Sequence, residues 1–254
     1  MLSRASDKNR RMQKSPAAPL PAPAGSTRSK TRILLVDDHE LVRFGTARLI
    51  ESETDLEICG EAADAPTAIQ LIRSAVPDLA IIDLSLRQGS GLDLVKEIRQ
   101  AYPAVLMIVC SMHDEELYAP RALRAGARAY VHKQQSAQVL IQAIRQVLDG
   151  KLYLSERMTE QFLERAAGLA PAGDVSPLEA LSDRELQVFE LIGEGLTVRE
   201  IAERLFVSPK TVEFHRERIR DKLQLQNSTV LSRHAIAWAL ERAAREAPEG
   251  RSEG

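Results

Sequence analysis

Four short apolar runs recur between Arg32 and Lys133, and each ends in polar residues: Arg32–Asp38 (RILLVDD), Asp78–Ser85 (DLAIIDLS), Val105–Ser111 (VLMIVCS) and Ala127–Lys133 (ARAYVHK). A strand with one wet face alternates apolar and polar side chains. A run that is apolar at nearly every position suits a strand covered on both faces, as in a parallel sheet flanked by helices. The segments between the runs carry helical patterns of roughly 10 to 15 residues, the length of a βαβ crossover. With Leu56–Glu61 as a second strand, five strand–helix units end near Asp149. The expected class is α/β, a doubly wound (βα)5 domain over residues 31–149.

The polar ends of the runs carry the chemistry. Asp37 and Asp38 close the first strand, Asp83 the third and Ser111 the fourth, and Lys133 follows the fifth. In a sheet ordered 2-1-3-4-5 the first and third strands meet at the switch point, where such folds bind ligands, so these groups converge on one crevice. Three carboxylates together repel one another, and a hard divalent cation with oxygen ligands, Mg²⁺ in the cytoplasm, keeps them ionised. A carboxylate beside a metal ion and an ammonium group can attack phosphorus and become an aspartyl phosphate. Asp83, Ser111 and Lys133 supply those parts.

At 254 residues, with 44% hydrophobic and 28% charged residues, a packed core is expected and a wholly disordered chain excluded. No apolar run approaches the ~20 residues of a membrane span, so a soluble, cytoplasmic protein with no membrane partner is expected. Cys59 and Cys110 lack metal-ligand spacing and read as buried thiols. His39 and His132 read as local packing or caps. Residues 1–30 hold Pro16, Pro19, Pro21 and Pro23 and seven Lys/Arg against the single acid Asp7, the mark of a disordered, basic, Pro/Ala-rich arm.

Residues 150–177 read as a helix, Ser155–Ala167, followed by a flexible linker, Gly168–Pro177. Ser182 and Glu185 form a capping box that opens an all-α domain, residues 178–243, with helices near Asp183–Glu194, Val198–Leu205, Pro209–Leu223 and Ser228–Arg242. A disordered tail, 244–254, is expected beyond it. Ser208 caps and Pro209 starts the third of these helices, and the short helix, tight turn and longer helix make a helix-turn-helix. On that third helix Val212, His215, Ile219 and Leu223 share the packing face. The domain carries ten Lys/Arg against eleven Asp/Glu, so bulk charge alone does not announce DNA binding. Lys210–Lys222, with five basic and three acidic residues, offers a local positive edge.

Residues 32–149 resemble the receiver domain of two-component response regulators, a flavodoxin-like fold, through Asp37-Asp38, Asp83, Ser111, Tyr130 and Lys133. The stretch GLTVREIAERLFVSPKTVEFHRERIRDKL, Gly195–Leu223, resembles the LuxR-type helix-turn-helix, and the pairing resembles the NarL/FixJ subfamily. The resemblance implies Asp83 as phosphoacceptor and Mg²⁺ held by Asp38, Asp83 and the Ser85 backbone carbonyl, with Asp37 acting through water. It implies that Lys133 meets the phosphoryl group, that Ser111 swings toward it, and that the switch aromatic Tyr130 then turns inward. Glu213, Phe214 and Glu217 would face bases, and Lys210, Thr211, Arg216, Arg218, Arg220 and Lys222 would mostly hold phosphates. The implied partners are a sensor histidine kinase, double-stranded DNA and a second copy of the chain when phosphorylated. The last helix, with Val230, Leu231, Ile236, Trp238 and Leu240, serves dimerisation or internal packing. The chain would be a regulator of transcription rather than an enzyme, at most dephosphorylating itself, with the unphosphorylated receiver covering or misplacing the reading helix.

Three departures from the family pattern carry expectations. Leu86-Arg87 stands where Met-Pro is usual, and Met112 where a small residue is usual, so access of water to a phosphoryl group is altered. Pro120 falls in the fourth helix, which should start late or kink. Two alternatives stand beside this reading. A haloacid-dehalogenase-like phosphatase would need an acid where Ser85 stands. A phosphorylated receiver could also pair with a helical domain that binds protein instead of DNA.

Overall fold

The computed structural model describes residues 30–87, 89–169 and 176–246. The predicted N-terminal arm up to residue 29, linker residues 170–175 and the tail from residue 247 lie outside the described residues. The first domain alternates β1 (Thr31–Val36), α1 (Glu40–Glu51), β2 (Leu56–Ala62), α2 (Ala65–Ala75), β3 (Leu79–Ile82), α3 (Gly91–Ala101), β4 (Leu106–Ser111), α4 (Glu115–Ala125), β5 (Ala129–His132) and α5 (Ala137–Leu148). The strands form one parallel sheet in the order β2-β1-β3-β4-β5.

Alternation along each strand divides the core. Leu34, Val36, Ala80, Ile82, Met107 and Val109 face α2, α3 and α4. Ile33, Leu35, Leu79, Ile81, Ile108 and Val131 face α1 and α5. Both faces are dry, which is why the runs show no polar alternation. The outer edge of β5 is covered by the chain after α5, where Tyr153 bridges Ala129.

Pro120 does not delay α4. That helix begins at Glu115, before the proline, so the expectation of a late start is corrected. The amide that proline lacks would have donated to the Glu116 carbonyl, at a cost of about 3 kcal/mol in a helix interior. Asp114 offsets part of this by capping the Glu116 and Leu117 amides, and burial of Leu117, Tyr118, Ala119 and Ala122 supplies the rest.

After α6 (Glu156–Ala166) and a 3₁₀ turn (Pro177–Ala180), the second domain consists of α7 (Asp183–Gly193), α8 (Val198–Arg204), α9 (Pro209–Lys222) and α10 (Ser228–Glu246). The Ser182–Glu185 capping box forms with both of its bonds, and a second joins Thr197 and Glu200 at the start of α8. The turn between α8 and α9 passes through Phe206 at φ 53°, a left-handed conformation in a residue with no glycine freedom.

The second domain docks on α3 and α4. Arg121 donates to Asp183 Oδ1 at 2.9 Å and to the Leu178 carbonyl at 3.1 Å, and Lys96 reaches Asp183 Oδ2 at 2.8 Å. Burial alone would raise the Asp183 carboxyl, but the bonds from Lys96 and Arg121 hold it below its ordinary value.

Candidate functional site

The C-terminal ends of β1 and β3 are adjacent, so Asp37, Asp38 and Asp83 share one pocket. The ligand atoms of these three and of His39 all lie within 4.8 Å of one another. Asp37 and Asp83 are buried. Lys133 bridges them, with Nζ 2.6 Å from Asp37 Oδ2 and 2.9 Å from Asp83 Oδ2. Burial pushes the Asp83 carboxyl above its ordinary value against the pull of Lys133. Burial would likewise lower the ammonium, but Asp83 and Asp37 hold it above its ordinary value. Asp83 Oδ1 is buried with no hydrogen-bond partner. A buried lone pair left unsatisfied beside two further carboxylates suits a hard cation with oxygen ligands, so the donor set fits Mg²⁺.

The remaining predicted receiver residues converge on the same place. Ser111 is fully buried at the end of β4 beside Asp83. Tyr130 is fully buried, its hydroxyl donating to the His113 carbonyl at 2.7 Å, so the ring already occupies an inward position. Leu86 is buried, whereas Arg87 and Met112 are exposed and line the mouth of the pocket.

Several readings of the sequence change. His39 is no isolated cap: its Nδ1 lies 2.8 Å from Asp38 Oδ1, and its own side chain makes no capping bond. Its place directly after the acid pair was the available signal. His132 does take a local partner, the Met112 carbonyl, at 3.2 Å. Cys59 and Cys110 are free thiols on half-buried residues, and burial raises the Cys59 thiol and pushes that of Cys110 up to about 12. His113 was missed altogether, because two residues beyond a strand end carry no periodic signal.

Residues 33–145 match the family described as response regulator receiver domain, and residues 179–235 match bacterial regulatory proteins, luxR family. The chain is 35% identical over 209 residues to the oxygen regulatory protein NreC of Staphylococcus haemolyticus, covering 81% of this chain and 96% of that protein. The chain belongs to the NarL/FixJ-type response regulators. NreC of Staphylococcus carnosus is also 35% identical over 209 residues, 81% of this chain and 96% of that protein. Among solved structures, a LuxR-family response regulator from Aurantimonas sp. SI85-9A1 is 37% identical, with a TM-score of 0.51 over 55% of this chain and 99% of that one. RcsB of Salmonella enterica serovar Typhimurium, bound to promoter P1flhDC in the presence of phosphomimetic BeF3-, is 25% identical, with a TM-score of 0.61 over 82% of this chain and all of that one.

The response regulator thus joins a receiver to a LuxR-type DNA-binding domain. In that domain Val212 and Ile219 are fully buried against α7 and α8, with His215 and Leu223 half-buried beside them, so α9 turns its other face outward. Lys210, Glu213, Phe214, Glu217 and Arg218 are all exposed. The receiver does not cover the reading face, which corrects that part of the expectation, because docking runs through α7 and not α9. Thr211 is tied to Ser208, its hydroxyl 2.8 Å from the Ser208 Oγ. Arg216 and Arg220 are half-buried, their Nε atoms enclosed without a hydrogen-bond partner, and Arg216 Nε lies 3.7 Å from Glu213 Oε2. Lys222 donates to Glu185 Oε2 at 2.6 Å, so its charge is already engaged inside the domain. In α10, Leu231 is buried and Trp238 packs 5.7 Å from Phe189, while Ile236 and Leu240 remain exposed. Among the described residues no helix is long and apolar enough to cross a membrane.

Proposed function

We propose that the response regulator is a cytoplasmic transcription switch, phosphorylated on Asp83 by a partner histidine kinase or a small acyl phosphate with Mg²⁺, and binding duplex DNA as a dimer. The observation that carries the reading is the Asp83 carboxylate, with one oxygen held by Lys133 and the other buried and unpartnered beside Asp37 and Asp38. In the transfer, an Asp83 oxygen forms a bond to phosphorus as the donor's bond to phosphorus breaks, a P–N bond releasing the imidazole of a phosphohistidine or a P–O bond releasing the carboxylate of an acyl phosphate. Asp38 and Asp83, with the Ser85 backbone carbonyl, would hold Mg²⁺, and Asp37 would act through water. The bound ion supplies neutralisation of the phosphoryl oxygens. Lys133 adds a fixed positive charge, and the Ser111 hydroxyl donates to the new phosphoryl group. The side chain does no chemistry on the DNA, and any loss of phosphoryl is hydrolysis at Asp83 itself.

On the DNA, Glu213 and Glu217 can accept from cytosine N4, and Phe214 can touch a thymine methyl. The exposed apolar pair Ile236 and Leu240, one turn apart on α10, supports pairing of two copies on two half-sites. Lys210 is exposed at the start of α9, where a phosphate contact adds affinity without reading sequence. Lys210→Ala should weaken binding to all duplexes alike and flatten the slope of log K against log salt by about one unit, measured by fluorescence anisotropy. Loss confined to one sequence would make Lys210 a base reader instead. Lys222→Ala should flatten the slope by less, since Glu185 already engages that ammonium. Failure to be retained on duplex DNA even at low salt would favour a protein ligand for this domain.

A further inference from the structure

Lys96 and Arg99 stand three residues apart on α3, and Arg121 and Arg124 three apart on α4, so each helix presents two cations on one face. All four line a cleft of about 660 Å³ between the two helices, to which the 3₁₀ turn and the start of α7 contribute Glu179 and Asp183. That volume suits a small molecule. No residue lines both this cleft and the crevice around Asp83.

The two acids leave positive charge over. Glu179 is held by Arg165 at 3.1 Å, and Asp183 takes both Arg121 and Lys96. Lys96 also donates to Asp93 at 3.0 Å, so one of its three N–H groups is left. Arg99 and Arg124 are exposed and make no ion pair or hydrogen bond among the described residues. The Arg99 side chain is nonetheless seated: its stem crosses Gly126, at φ 127° after α4, so closely that a Cβ there would fall 2.6 Å from Arg99 Cδ. An aliphatic stem fixed by packing carries its guanidinium at low further cost in entropy.

We propose that this cleft binds a polyphosphate group, gripped by Arg99 and Arg124 with the remaining N–H of Lys96. Guanidinium groups match phosphate oxygens in pairs of hydrogen bonds, and a chain of phosphates carries enough charge for both. The lining holds no aromatic ring on which a base could stack, so the phosphates are what the cleft reads. Asp183 keeps its own bonds, because the ligand takes only the groups left over. The site is independent of whether Asp83 is the phosphoacceptor.

The test is isothermal titration calorimetry of the full chain with sodium tripolyphosphate, in buffer without Mg²⁺, which would neutralise the probe. One site per chain is expected, weakening as salt rises. Arg99→Gln combined with Arg124→Gln, at two exposed positions, should melt like the wild type and bind about tenfold or more weakly. Arg48→Gln, on α1 across the sheet, removes one charge of the same kind and should bind like the wild type. ATP in place of tripolyphosphate separates two sources of the same group: tighter binding points to a nucleotide, equal or weaker binding to an inorganic chain, and either supports the site. No binding of either probe, binding retained by the double variant, or an equal loss in Arg48→Gln would overturn the proposal. Affinity for duplex DNA should not change in the double variant. A loss there, with neither probe bound by the wild type, would make the arginine pair a contact to the DNA backbone and overturn it as well.

Discussion

Replacing Asp83 by Asn should abolish phosphoryl uptake while leaving the fold intact. Incubated with a small acyl phosphate and Mg²⁺, the wild type should gain one phosphoryl group by intact mass, and neither Asp83→Asn nor the wild type without Mg²⁺ should gain any. The amide has the shape of the carboxylate but no anionic nucleophile, so the loss is chemical rather than structural. Lys133 keeps its 2.6 Å contact with Asp37, so removing the Asp83 charge leaves no unpaired ammonium in the pocket. Circular dichroism should therefore be unchanged. Labelling retained in the Asn variant would place the phosphoacceptor elsewhere. A folded wild type that stays unlabelled by both acyl phosphate and kinase would leave a DNA-binding protein without this switch.

Gly91→Ala should damage the same site without touching any of its side chains. A Cβ at Gly91 would sit 2.1 Å from the Asp83 carbonyl oxygen and 2.6 Å from Leu84 Cα, both backbone atoms that cannot swing aside. Gly91 opens α3, and its amide donates to the Leu84 carbonyl at 3.1 Å, so the helix start and the end of β3 are in direct contact. Overpacking of this kind costs about 1–3 kcal/mol of stability. Because relief must displace the strand end that carries Asp83, labelling should slow on the order of 100-fold, the effect of an ångström-scale misplacement of a reacting group. Gly45→Ala is the control: nothing lies within 4 Å of its Cβ in the middle of α1, and it should stabilise by roughly 0.5–1 kcal/mol. Thermal melts and labelling rates measure both effects. A Gly91→Ala protein that melts and labels like the wild type would show that β3 and α3 are not locked together as the geometry requires.

Much of the site was readable because parallel sheets translate sequence into position with little freedom. A strand buried on both faces shows as an unbroken apolar run, and its last residues must lie at the sheet's C-terminal edge. Asp37, Asp38, Asp83, Ser111 and Lys133 were placed by that rule alone. The helix-turn-helix was legible for a similar reason, since Ser182, Ser208 and Pro209 mark helix starts locally. Pro120 misled because a local rule was outweighed by burial of the helix that contains it. For Lys222 no sequence pattern points to Glu185, distant along the chain and 2.6 Å away in space.

Periodicity, capping and strand ends within short windows specify the fold of each domain, the crevice of carboxylates and the helix that faces outward. How the domains meet is set by contacts seen in the folded chain alone: Asp183 on Arg121 and Lys96, Glu190 on Tyr118 and His113, with the reading face left open. Those contacts join residues far apart in the chain, and their energies depend on burial and distance, quantities that exist only once both surfaces have formed.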